Sequence, residues 1–76
     1  MKDLVEFVAQ SLVDDPSAVE IRSRKRDQAT VIELEVAPAD LGKVIGRQGR
    51  IARALRAIVR ASGARSHNRV VLEIME

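Results

Sequence analysis

Leu41-Gly42-Lys43-Val44-Ile45-Gly46-Arg47-Gln48-Gly49-Arg50-Ile51 is the most informative stretch of this 76-residue chain. Two glycines three positions apart, Gly46 and Gly49, break a run whose flanks read as helical. Without Cβ atoms the chain turns tightly there and lets another backbone approach closely. Ahead of the break, Pro38 stops an extended segment and Ala39 to Ile45 forms a short helix. Behind it a longer helix is expected from Arg50 to Ser62, because Ile51, Leu55, Ile58, Val59 and Ser62 recur on one face at about 100° per residue. Gly63 is a natural C-terminal stop for it. The second glycine opens this helix, whose first N–H groups lack partners and favour phosphate oxygens. Lys43, Arg47 and Arg50 surround the same point with positive charge, and Val44 and Ile45 offer an apolar edge on which bases can rest.

Working outward, Asp3 with Glu6 predicts a capped helix carrying Leu4, Val5, Val8 and Leu12 at helical spacing, with Phe7 beside them. Asp14-Asp15-Pro16 ends it. Val19 and Ile21 alternate with Glu20 and Arg22 as a half-buried strand, and Arg24 to Ala29 reads as a polar turn. Thr30 to Val36 is a second strand, with Ile32, Leu34 and Val36 on one side and Glu33 and Glu35 on the other. The short connection makes the two an antiparallel hairpin. A last strand alternates Val70, Leu72 and Ile74 with Val71, Glu73 and Met75. The order is α-β-β-α-α-β. The two-helix crossover makes the second and third strands parallel and the connection right-handed. The second strand is then central. The expected fold is α+β: a three-stranded mixed sheet covered on one face by three helices, one domain over residues 1–76.

Charge divides the chain. From Leu41 to Leu72 there is no acid, but there are eight basic residues: Lys43, Arg47, Arg50, Arg53, Arg56, Arg60, Arg65 and Arg69. The remainder holds five basic residues against eleven acids. Such a separation fits one face built for a polyanion.

The glycine segment resembles the Ile-Gly-x-x-Gly loop of KH domains, which clamps about four nucleotides of a single strand. The element order matches the bacterial, type II arrangement, and the whole chain is similar to small stand-alone bacterial KH proteins of the KhpA type. That resemblance implies a non-catalytic protein that binds single-stranded RNA, acting as an RNA chaperone or post-transcriptional regulator. The nucleic acid would lie between the loop-flanking helices and the sheet. Its site residues would be Lys43, Ile45, Gly46, Arg47, Gln48, Gly49, Arg50, Arg53 and Arg65. The far rim would be Ala64 to Asn68, bearing Arg65 and His67. No aromatic stands near the loop, so bases must rest on aliphatic side chains and Arg planes. The resemblance further implies a homodimer, and pairing with a larger RNA-binding protein that also carries a KH domain.

Other chemistry fails on composition and spacing. Gly42-Lys43 is followed by Val44 rather than Ser or Thr, against an ATP phosphate loop, and the dinucleotide pattern lacks its upstream glycine. His67, the only histidine, has no nucleophile to serve, so no catalysis is expected. There is no cysteine, hence no disulfide or Cys-based zinc site, and neither metal nor cofactor is expected. No apolar run is long enough to span a membrane, and no signal peptide is apparent. A cytoplasmic protein is expected. The competing function is a protein-interaction module: Ala54, Ala57 and Ala61 form a small-residue strip that permits close helix approach and dimerisation, although alanine also serves simply as a good helix former.

Overall fold

Strand β2 (Ala29–Glu35) is flanked by β1 (Glu20–Arg26), antiparallel, and β3 (Arg69–Ile74), parallel, in the order β1-β2-β3. The computed structural model describes residues 2–65 and 67–75. Register follows the period-two pattern. Leu34 stands opposite Ile21 and Ile74, and Ile32 opposite Ser23 and Leu72. That face receives helix α1 (Lys2–Leu12), the short α2 (Leu41–Ile45) and the 16-residue α3 (Arg50–Arg65). Each helix and strand sends a side chain into one cluster that includes Val5, Ala9, Leu34, Val44, Val59 and Leu72. The expected element order, sheet order and strand directions all hold.

The opposite face of the sheet is uncovered, and this explains why β1 outruns the expected strand. Residues 24–26 are strand, not turn, and the hairpin closes over Asp27 and Gln28, with Asp27 at φ +55°. Arg22 and Arg24 stay extended because their charges lie on the open face. There Arg22 pairs with Glu20 at 2.9 Å and Glu35 at 2.8 Å, and Arg24 pairs with Glu33 at 3.0 Å and Glu73 at 4.0 Å. Exposed pairs like these add little stability singly. Together they cover the strand beneath, and Val31 is buried on this face.

Helix ends and faces also depart from expectation. Lys2 is already helical, so Asp3 lies within the first turn, where it complements the positive helix end instead of capping it. The inward face of α1 runs through Val5 and Ala9, which leaves Leu4 and Phe7 exposed on its flank. On α3 the buried line is Ala52, Leu55, Val59 and Gly63. Ile58, about 100° around the helix from Val59, sits at the flank and is 46% exposed.

Gly63 does not stop α3. The helix continues to Arg65, and His67 at φ +58° takes the left-handed capping position. The Asn68 N–H donates to the Gly63 carbonyl at 2.8 Å and the His67 N–H to the Ala64 carbonyl at 3.2 Å, the paired bonds of a Schellman end. Gly63 is needed for space: a Cβ there would lie 2.6 Å from the Asn68 carbonyl oxygen and 2.8 Å from a Val70 methyl. Gly42 is the opposite case, helical and with nothing within 4 Å of a Cβ. We therefore expect Gly63→Ala to lower unfolding stability by about 2–3 kcal/mol and Gly42→Ala to raise it by up to about 1 kcal/mol, read from urea titrations.

Candidate nucleic-acid interface

The chain leaves β2, makes a 3-10 turn at Pro38–Asp40 and enters α2, whose Val44 is fully buried. Val44 is therefore a core anchor for the loop, and of the expected apolar edge only Ile45 keeps partial exposure. α2 ends at Gly46, where φ is +78°. A 3-10 turn over Arg47–Gly49 follows, with Gln48 at φ +59° and Gly49 at φ +72°. Three left-handed residues in four form a turn that side chains resist. The two glycines serve different ends. A Cβ on Gly46 would meet the Ile51 side chain at 2.7 Å, so this glycine seats the loop on α3. A Cβ on Gly49 would meet nothing within 4 Å, so that glycine is set by φ alone and faces open space.

The loop is braced from behind. The Arg53 guanidinium donates to the Gln48 carbonyl at 3.1 Å, and the Arg50 guanidinium to the Gln48 side-chain oxygen at 3.4 Å. Arg47 and Gln48 are exposed at the tip. From the loop, Arg53, Arg56 and Arg60 step down one flank of α3. Arg56 and Arg60, with Arg69, Val70, Val71 and Leu72, enclose a shallow cavity of about 240 Å³ between α3 and β3. Arg56, Arg60 and Arg69 were not singled out for the site from sequence, although the acid-free block contained them. Arg65 lies on the far flank of α3, about 180° around the helix from Arg56, so it is not part of this row. Ala54, Ala57 and Ala61 are all exposed; Ala54 and Ala61 lie beside Ile58, whereas Ala57 lies about 100° around the helix from it, next to Arg53.

Lys43 faces a different neighbourhood. Its ammonium donates to the Asp14 carboxylate and, at 3.5 Å, to Asp40. Hydrogen bonding to Asp14 raises its pKa above the ordinary lysine value. Asp40 is the one buried charged residue among the described residues. Burial pushes its carboxyl up, but the Asp15 and Asp14 N–H groups and the Lys43 ammonium outweigh this and hold it below the usual carboxylate range. Its Oδ2 accepts the Asp15 N–H at 3.1 Å, tying the start of α2 to the segment after α1.

Residues 2–74 match the family described as KhpA/KhpB, KH domain. The chain belongs to this KH family. Its three helices and mixed three-stranded sheet are the type II KH fold. It is 54% identical to the RNA-binding protein KhpA of Aquifex aeolicus over all of this chain and 96% of that protein. It is 49% identical to the RNA-binding protein KhpA of Caldanaerobacter subterraneus and 48% to that of Clostridium acetobutylicum, each over 99% of this chain and 100% of the relative. The Gly46–Gly49 loop and the cavity between α3 and the free edge of β3 both lie within the matched residues. Ser66, within the expected far rim, lies outside the described residues. No group of metal-ligating side chains and no helix able to cross a membrane occurs among the described residues.

The Asp40 tie has a pH signature. A depressed folded-state pKa contributes stability above the ordinary carboxylate value of 3.8, and that stability is lost as pH falls through the lower folded value. Asp40→Asn is expected to be the less stable protein at neutral pH. The gap should close as the pH drops below the ordinary carboxylate range, as thermal melts across an acid series would reveal.

Proposed function

We propose that this chain, a non-catalytic RNA-binding protein of the KH family, holds single-stranded RNA against the Gly46–Gly49 loop and along the arginine row of α3. The observation that carries the reading is the loop itself. Gly49 leaves open space where a sugar-phosphate backbone can come close, directly at the N-terminus of a 16-residue helix. Arg47 and Gln48 stand exposed on the tip, and no acid follows until Glu73. Phosphates would be received at the loop and the α3 N-terminus, and bases would lie toward Ile45 and the β3 edge. Arg53 works mainly as a brace here, and Lys43 is committed to Asp14 and Asp40. Contacts of this kind suit an RNA chaperone or post-transcriptional regulator in the cytoplasm, since they favour backbone over sequence.

Joint replacement of Arg47 and Gln48 by Asp is expected to weaken single-stranded RNA binding at least about 10-fold, with circular dichroism unchanged because both side chains are exposed. For the unaltered protein, log affinity should fall with log salt by about 0.7 for each phosphate neutralised. Unchanged affinity of the folded double variant in a gel-shift titration would sink the loop as the site.

A second reading concerns assembly. Ile58 is 46% exposed on α3, flanked by the small Ala54 and Ala61. An exposed aliphatic side chain beside Ala54 and Ala61 lets a second helix approach closely, from another copy or from a larger KH-containing protein. A dimer would set two RNA grooves at a fixed separation and add avidity without new RNA contacts. Introducing Glu at both Ala57 and Ala61 is expected to convert a dimer to monomers in sedimentation runs, through bulk and like-charge repulsion across a two-fold axis. A protein that sediments as a monomer before any substitution would eliminate self-association.

A further inference from the structure

The uncovered face of the sheet holds a larger concavity than the groove does, about 650 Å³. It lies where the β1–β2 turn and the α3–β3 connection meet, at the end of α3 away from the glycine loop. Ala29, Val31 and Val71 form an apolar floor, and Arg26, Arg69 and His67 line it with Asp27, Gln28 and Glu73. Arg69 and Val71 also line the groove cavity beside Arg56 and Arg60. The two concavities therefore share a wall at the β3 edge, and the basic row that starts at the loop continues over that edge.

Charge on the open face is unevenly committed. Arg22 and Arg24 are paired with four glutamates, Glu73 among them. Arg26 and Arg69 have no ion pair among the described residues. The end of the face nearest the groove exit thus carries uncompensated guanidinium groups over exposed aliphatic surface, with Val71 37% exposed. A phosphate chain with its bases turned to an apolar floor matches both features. Asp27 on the rim opposes them and sets the sign of one test below.

We propose that an RNA strand longer than the loop's own footprint leaves the groove past Arg60, turns over the β3 edge and lies on the open sheet face. There Arg26 and Arg69 take its phosphates, and the exposed Val71 with the half-buried Ala29 supports its bases. This rests on the groove being the RNA site, and deepens it from a short clamp to a two-faced path. The chain then discriminates by strand length: about four nucleotides engage the loop alone, and longer strands gain the second face.

Fluorescence anisotropy with single-stranded RNA oligonucleotides of about four and about ten nucleotides separates the two claims. Arg26→Glu is expected to weaken the longer oligonucleotide about five-fold or more and to leave the shorter one within about two-fold. Arg26→Ala should also reduce the salt slope of the longer one by about 0.7, and only that one. Asp27→Asn, which removes the opposing charge and tolerates the positive φ, should tighten the longer one about two-fold. If the loop double variant loses both lengths while Arg26→Glu loses neither, or loses both equally, the path over the edge is overturned and the groove stands. If the loop variant keeps both lengths, the groove reading fails and the extension falls with it. If Arg26→Glu changes sedimentation but not RNA affinity, the open face is a protein contact and the proposal is likewise overturned.

Discussion

The parallel pairing of β2 with β3 is the constraint on which the rest of the molecule depends. Parallel neighbours cannot be joined by a tight turn, so the chain leaving β2 at Glu35 must travel back along the sheet before β3 begins at Arg69. Helix α3, at 16 residues about 24 Å long, makes that return over a six-residue strand of about 20 Å. Something must reverse the chain first, and α2 with the glycine loop does so. The loop is thus held at one end of the sheet, and the α3–β3 connection and the β1–β2 turn at the other. The groove and its arginine row connect the two ends.

Close approach is solved with glycine at two points, and with chemistry in between. Gly63 brings α3 onto the strand it covers, where a single methyl group would meet the Asn68 carbonyl. Gly46 seats the loop against Ile51. Between them Arg53 holds the Gln48 carbonyl, so a loop with three positive-φ residues is supported by the helix it opens. Preformed backbone geometry of this kind reduces the ordering cost of binding. At the other end of α2, Asp40 and Lys43 fasten the loop helix to the segment after α1. Asp14 and Asp40 are structural partners of Lys43, whereas Arg56 and Arg60 have no ion pair among the described residues.

Much of this was legible in the residues. Alternation in Thr30 to Val36 and in Val70 to Ile74 determined which strand faces meet the helices, because period two admits only one inward set. The glycine pair located the reversal. Misreadings share one cause. Arg24 to Arg26 looked like part of a turn because a strand with an uncovered face needs no apolar alternation. Gly63 looked like a helix stop because sequence shows that glycine permits a left-handed φ, but not that a neighbouring strand needs its space. Leu4 and Ile58 looked buried because periodicity gives the arc of a helix and not its centre.

Sequence alone determined the element order, the two inward faces, the acid-free half and the position of the loop, since each follows from local pattern and from the type of residue present. Tertiary structure alone decided which basic residues act together. Lys43 and Arg47 are four residues apart, yet one is neutralised by Asp14 from a segment 29 positions away and the other is exposed with no ion pair among the described residues. Arg60 and Arg69 lie on different elements yet line one cavity. Coulomb interactions depend on distance through space, and chain separation fixes that distance only within a helix or a strand. The cast of charges was therefore readable in advance, and their partners had to wait for the fold.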